Sequence, residues 1–535
     1  MVGASAGRDS DRRESSSSGG GGAGGDSREC VLGVDIGTTG ARAVAFDLQG
    51  RQLHATSAEY PLHSPHPGWA EQDPKGVLEA ATRCLHQITE WTRDQRRAPR
   101  ALGISAILHS LIPVDAAGEA LGPSIIWADT RSAAEAEEIR RETDALALYG
   151  RVGGPVHPMY SSAKLRWLRR YRTEVFHQAA SFVGIKEYVI RQWTGLHVCD
   201  RSVASGTGLF NGLKDTWDDG ALAVAGITAN RLPPVVETEQ PLDVPAERLR
   251  ALGLPEDCAF VIGAGDGVLQ TIGTGTVAPG QMVAMVATSG AIRSVVDSFQ
   301  TDPRARTWCY YLAAGKWVVG AAINNAGIVY AWLRDQLSLG KDGVVEIEDM
   351  NAWAEQVPAG SDGLVFLPYL AGERSPNWNA NARGLLFGLS LAHNYRHLAR
   401  ATLEGVGYRM RTIFEPMEEV AGRAAEIRAA GGYIRSSLWL QIVADILGRP
   451  LQLVDSPEAS ALGAAQLAML GAGMVRRFED LAPMVSTAGT VTPNPHRQAL
   501  YDRLYHIYQR LYEGASSEFD AISRIQAELA QEPLR

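Results

Sequence analysis

Residues 261–280 read VIGAGDGVLQTIGTGTVAPG, a glycine-rich run around one charged side chain, Asp266. Three kinds of segment have this composition: a flexible linker, a dinucleotide-binding turn, and a loop that holds one carboxylate where it acts. The dinucleotide fingerprint matches formally at Gly273, Gly275 and Ala278, with Asp297 about twenty residues on. That match follows a predicted helix and runs through Pro279-Gly280 into a strand, whereas a working fingerprint follows a strand and opens a helix. The dinucleotide reading fails on that context. A Walker A loop is absent as well, since the Gly-Lys pairs at 315–316 and 340–341 lead into Trp and Asp. Two other turns, DIGTTG (35–40) and TSGAIR (288–293), combine glycine with Thr or Ser. Such turns aim backbone N–H groups and short hydroxyls at one point and can hold phosphate oxygens without a lysine. Asp35, at the end of its strand, is placed to hold a Mg²⁺ ion directly or through water. Each turn alone is an ordinary hairpin; two matched turns point to a nucleotide between two domains.

The elements that must position these residues follow from the patterning. The stretch from Val31 predicts a strand, a tight Gly/Thr turn, a second strand, a turn at Gln49-Gly50 and a third strand. Asp73 as N-cap and Pro74 in the first turn predict a helix over about 74–94. ALGISAILH predicts a buried strand ending at His109, and the run from Ile125 a strand entering one helix, with a capping box from Ser132 to Glu135 and a stop at Gly150. After about residue 257 a similar order recurs: a strand AFVIGAG, a strand–turn–strand around TSG, a hairpin over 309–323, then mostly helix. The tyrosines Tyr501, Tyr505, Tyr508 and Tyr512 have helical spacing and predict core packing. This is an α/β chain of two domains on one plan. The expected divisions are a disordered tail at 1–29, domains at 30–257 and 258–515, and a C-terminal tail at 516–535.

Bulk properties narrow the function. A chain of 535 residues is comfortable for two sizeable domains. Its formal net charge of −9 argues against a broad nucleic-acid or anionic-membrane surface, and no apolar stretch is long enough to cross a bilayer. The five cysteines lie far apart, without a C-x-x-C pair, and suit a reducing compartment. The Ser/Gly-rich start has no apolar signal centre, and its acidic residues count against a transit peptide, so the cytoplasm is expected.

The sequence resembles the FGGY carbohydrate kinases, within the actin and hexokinase superfamily, over about residues 30–515. Beside DIGTTG, MYSSAKLRWLRR (159–170) is similar to the first family signature, although Tyr171 departs from the usual amide, acid or His. GLLFGLSLAHNYRHLARATLE (384–404) fits the second; AGGYIRSSLWLQIVADILG (430–448) and PEASALGAA (457–465) resemble the adenosine segment and the helix start after it. LHSLIPVD (108–115), WADTRS (127–132), PVHPM (155–159), GAGDGVL, TSGAIR, INNAG (323–327) and GERSPNWNANARG (372–384) look like the gluconate kinase versions of family motifs, with Leu108 and Ala326 departing from the usual Met and Gly.

The resemblance implies two ribonuclease-H-like domains of the actin/hexokinase type, with an ATP and substrate cleft between them. It implies transfer of the γ-phosphoryl group of ATP, with Mg²⁺, to a terminal hydroxyl of a sugar acid, D-gluconate giving 6-phosphogluconate. Asp266 would be the general base, where a strand passes into a helix, with Gly263 and Gly265 letting backbone approach the substrate and the helix start favouring its ionised form. Asp35 and Asp266 are the metal candidates. Gly37, Thr38, Thr39, Thr288, Ser289 and Gly290 would hold phosphate; Gly431, Gly432 and Ser436 would flank adenosine; Asn324 and Asn325 would line the cleft. The substrate candidates are His109, Ser110, Asp129, Arg131, His157, Lys164 and Arg374, with Arg131 and Arg374 leading because arginine grips a carboxylate through two parallel hydrogen bonds. The partner is thus a small sugar acid or polyol, not a nucleic acid or membrane, with a homodimer left open. Rival readings are a kinase of xylulose, ribulose or a related polyol, and a non-catalytic ATP-binding regulator of the same fold.

Overall fold

A computed structural model describes residues 28–338 and 344–531. Nearly all of the expected N-terminal tail, residues 1–27, lies outside that range.

The first sheet has five strands, β1 (Glu29–Ile36), β2 (Gly40–Phe46), β3 (Gln52–Glu59), β4 (Ala98–Ala106) and β5 (Ala259–Gly265), in the order β5-β4-β1-β2-β3. β1, β2 and β3 run antiparallel, while β4 and β5 run parallel to β1. A strand covered on both faces must be apolar along its length, and Val31 to Ile36 is almost wholly buried. One cover is helix α1 (Pro74–Asp94), which packs on β2 and β3. It starts as expected: the Asp73 carboxylate accepts from Lys75 N and Gly76 N, and Val77, Ala81, Leu85 and Ile88 face the sheet.

The second sheet comprises β6 (Gln281–Val286), β7 (Gly290–Val296), β8 (Trp308–Ala313), β9 (Lys316–Ile323), β10 (Glu426–Ala430), β11 (Leu451–Leu453) and β12 (Thr490–Val491), ordered β8-β9-β7-β6-β10-β11-β12. Its β6–β7 hairpin, antiparallel β9 and parallel β10 and β11 repeat the plan of the first sheet. β8 is an extra edge strand.

Several local expectations are corrected. β4 stops at Ala106, and His109 lies beyond it in a left-handed turn (φ 64°). The run after Ile125 holds two helices, α2 (Ala133–Glu142) and α3 (Ala145–Val152), because Asp144 caps the second through Ala147 N. α3 ends at Gly153, in the left-handed region, rather than at Gly150. The Ser132–Glu135 capping box does not form: Ser132 Oγ donates to Pro158 O, and buried Glu135 pairs with Arg170. Helix α4 (Ser161–Tyr171) carries Lys164.

The division at 257/258 falls too early. β5 and helix α5 (Asp266–Gly273) belong to the first lobe, since β5 pairs with β4. The second lobe holds α6 (Tyr395–Ala421) and α7 (Ser437–Leu447), whereas α8 (Ala459–Gly471) returns to pack on β1 and β4. The C-terminal tail is also corrected, because α9 (Pro495–Gln531) continues through it with Phe519 buried. Tyr501, Tyr505 and Tyr508 are buried in the second core, as their spacing implied.

Candidate active site

The DIGTTG turn joins β1 to β2 and the TSG turn joins β6 to β7. A cavity of about 250 Å³ lies between them. The first lobe contributes Thr38, His109 and Trp127, and α5 contributes Asp266, Gly267 and Gln270. The second lobe contributes Ser289, Gly290, Arg293, Tyr310, Arg374 and Trp378. A space of this size suits a small metabolite.

Both turns are held by their carbonyls. Gly37 O accepts from Tyr60 Oη (2.7 Å), Thr38 O from Gln72 Nε2 (2.8 Å), and Thr288 O from Ile328 N (3.1 Å). The amides of Thr38, Thr39, Thr288 and Ser289 meet no protein acceptor among the described residues. They are donors for an anion. Gly431 and Gly432 follow β10, beside the end of β6: a Cβ at Gly431 would stand 2.5 Å from Val286 O, while Gly432 faces open space. Ser436 caps α7, its Oγ accepting from Trp439 N.

Asp266 is the first residue of α5, where β5 enters the helix, and its Oδ1 accepts from Gly267 N (2.7 Å). The expectation that the helix start keeps it readily ionised is corrected: burial raises its pKa, outweighing the Gly267 amide and the Arg293 charge. The glycines before it do not clear space for substrate. Gly263 bulges at φ 73°, where a Cβ would lie 2.0 Å from Ile104 O, and a Cβ on Gly265 would strike the Leu108 side chain. Asp35 sits in register with Ser105, whose Oγ donates to Oδ1 (2.6 Å). Burial raises its pKa to about 7 against that hydrogen bond, and the charges of Asp266 and Glu458 push the same way.

The polyol candidates divide. His109 Nδ1 bonds Gly206 O (2.7 Å); a carbonyl can only accept, so Nδ1 carries the proton and neutral His109 offers an Nε2 lone pair. Burial and the Lys164 charge lower its pKa to about 3. Arg374 Nε donates to Asn324 Oδ1 (2.7 Å), and its guanidinium lies 5.4 Å from the Trp127 ring. The neighbouring Glu373 carboxylate pairs with Arg409 (3.1 Å) and accepts from the Arg374 backbone N–H (2.9 Å).

The remaining candidates do not line the cavity. Arg131 is clamped by Asp129 (2.6 Å) and Glu71 (2.7 Å) over the Trp69 ring, and Asp129 also accepts from Ala70 N. Lys164 Nζ donates to the carbonyls of His109, Ile125 and Ile126, so it braces the His109 turn. Ser110 Oγ accepts from Ile185 N. His157, its pKa lowered to about 3 by burial, packs on Trp378 just behind the wall. Asn325 is fully buried, donating to Gly372 O, and does not line the cleft as expected. Sequence reasoning missed Arg293, although an arginine inside the apolar strand GAIRSVV was a visible signal.

Residues 30–273 match the N-terminal domain of the FGGY family of carbohydrate kinases, and residues 287–472 match its C-terminal domain. The chain belongs to this family. The FGGY match therefore places β5 and α5 with the N-terminal domain, as the sheet does. A gluconokinase of Bacillus subtilis (strain 168) is 36% identical over 504 residues, covering 93% of this chain and 98% of that one. A xylulose kinase of Escherichia coli (strain K12) is 29% identical over 486 residues, covering 90% and 98%. The solved gluconate kinase from Lactobacillus acidophilus superposes with a TM-score of 0.87 at 32% identity, covering 92% of this chain and 99% of that one. The fold is thus that of the FGGY kinases, and the chain is a phosphotransferase acting on a sugar hydroxyl.

FGGY sugar kinases use ATP and a divalent metal. Among the described residues no cluster of three or more His, Cys, Asp or Glu could hold an ion by itself. The site still fits a phosphate-bound cation. The charge of Asp266 disfavours an ionised Asp35, which a counter-charge would relieve, and such an ion typically takes only one or two carboxylates beside phosphate oxygens. No helix among the described residues is long and apolar enough to cross a membrane.

Proposed function

We propose that this FGGY kinase transfers the γ-phosphoryl group of MgATP to the terminal hydroxyl of a sugar acid, D-gluconate, giving 6-phosphogluconate. The observation that carries this reading is the placement of Asp266 on the cavity wall between the two anion-ready turns. The phosphoryl-transfer transition state is loose, so the protein's work is positioning and charge neutralisation. Asp266 orients the acceptor hydroxyl and takes its proton. The amides of Thr38, Thr39, Thr288 and Ser289 hold phosphate oxygens, and Gly431 and Gly432 leave a flat slot for adenosine. Asp35 holds the Mg²⁺ side. His109 Nε2 accepts from a sugar hydroxyl. When bound, MgATP supplies the phosphoryl group and the cation that screens it. The sugar acid is supported by the gluconokinase relatives and by the two arginines facing the cavity. A cytosolic setting fits five free, buried thiols.

An ATP-coupled assay across gluconate, xylulose, ribulose and glycerol tests the reading, with gluconate expected to give the highest kcat/KM. Asp266→Ala should fold yet lose about 10²–10⁴ in kcat, the usual contribution of a positioned base. The similarity to xylulose kinases supplies the competing reading, so a preference for xylulose overturns the sugar-acid assignment. Near wild-type turnover by folded Asp266→Ala overturns the base.

A further inference from the structure

We infer that Arg293 reads the substrate's carboxylate and so sets the preference for a sugar acid; this rests on the sugar-acid reading above. Four of the basic groups near the cleft are spoken for. Arg131 is locked between Asp129 and Glu71, and Lys164 spends its ammonium on three carbonyls. Burial keeps His109 and His157 neutral. Arg374 and Arg293 remain in the cavity wall, and Asp266 is the only acid among the lining residues.

The two arginines differ in what they still offer. Arg374 has committed Nε to Asn324 Oδ1 (2.7 Å) and Nη2 to Ile323 O (3.3 Å), which occupies the edge that grips a carboxylate side-on. Arg293 has committed the opposite corner, with Nη1 donating to Gln270 Oε1 (3.0 Å). Its Nε is shut off from solvent without an acceptor, and Nη2 makes no hydrogen bond or ion pair among the described residues. Nε and Nη2 lie on one edge of the planar guanidinium and present two parallel donors. A buried donor left unpaired is costly, and a carboxylate laid on that edge would satisfy both groups at once. That edge lies against the start of α5: a Cβ on Gly267 would touch it, 3.4 Å from Nη2 and 3.6 Å from Nε, so only the bare glycine leaves this side of the guanidinium uncovered. Asp266 and Arg293 then take two different groups of one substrate, hydroxyl and carboxylate.

The test compares gluconate with glucitol, which has a hydroxymethyl group in place of the carboxylate. In Arg293→Gln the gluconate-to-glucitol ratio of kcat/KM should fall by about 10- to 100-fold, the range for losing hydrogen bonds to a charged group. The fall should appear mainly in the KM for gluconate. Arg293→Lys, which keeps the charge without the fork, should recover part of the ratio; if Arg293→Gln does not fold, Arg293→Lys carries the same comparison. A parallel fall on both substrates with a displaced pH–kcat profile would mean that Arg293 serves Asp266 or the phosphates, and overturns the inference. An unchanged ratio overturns it too. Wild-type enzyme that does not favour gluconate over glucitol and xylulose overturns the sugar-acid reading and the inference together. A wild-type preference that survives in Arg293→Gln overturns the Arg293 assignment alone.

Discussion

Asp35, proposed above to hold the cation, is a residue whose protonation would couple the fold to its ligand. Burial, helped by the charges of Asp266 and Glu458, lifts its pKa to about 7 despite the Ser105 hydrogen bond. An unfolded aspartate titrates near ~3.9, so between those values the folded chain holds a proton that the unfolded chain has released. Stability therefore falls as pH rises through that window. A cation bound at Asp35 favours the ionised form and reverses the penalty. We expect Asp35→Asn to flatten the decline of Tm between about pH 4 and pH 7. We also expect Mg²⁺ with ATP to raise the wild-type Tm more at the upper end of that range than at the lower. Thermal melts with and without the nucleotide check both; an unchanged slope in Asp35→Asn would sink the assignment. The places of Asp35 and Asp266 at strand ends were legible from sequence because each stands beside a glycine-rich run. Arg131 was misjudged for the converse reason: Trp69 and Glu71, which cover and pair with it, lie about sixty residues away in a stretch with no motif.

At the scale of elements, the helix that carries Asp266 is set by one close crossing. α5 begins with Asp266 and ends at Gly273, and it lies against α8 so tightly that a Cβ on Gly463 would stand 2.2 Å from Leu269 O. A Cβ on Gly273 would stand 1.8 Å from Ala459 O. The helices can only part to admit a methyl group, and Asp266 would move with α5. Gly463→Ala should destabilise by about 1–3 kcal/mol or more, the usual range for overpacking, and should lower kcat as well. Gly514→Ala is the counterpart. That glycine lies in α9 with open space around it, so the same change should stabilise by up to ~1 kcal/mol through helix propensity alone. Chemical denaturation of the two variants checks the opposite signs. The helix holding Gly463 was legible through the resemblance of PEASALGAA to the family's helix start. Its partner was not, because Leu269 lies nearly two hundred residues away and helical periodicity says nothing about which helix is met.

For the whole molecule, chain order and lobe membership part company at both ends of the second half. The repeated hairpin order showed two domains on one plan, since each β-hairpin is a local structure. Lobe membership is a matter of long-range pairing: β5 joins the first sheet by lying parallel to β4, more than 150 residues earlier. In the same way α8 covers a face of the first sheet, where Ala461, Leu462, Ala465 and Ala468 close over Val31, Val44, Ala101 and Val261. A fragment of residues 28–279 carries every strand of the first sheet but leaves that apolar face open to water. Exposed patches of this kind drive association. The fragment should melt without a cooperative transition and bind a hydrophobic dye, and fusing residues 455–475 to it through a flexible linker should restore a cooperative melt. A sharp unfolding transition from the fragment alone would show that the first lobe needs no helix from the second half. The active site, which draws on both lobes, would then be assembled from two independently folded units rather than from one interlocked chain.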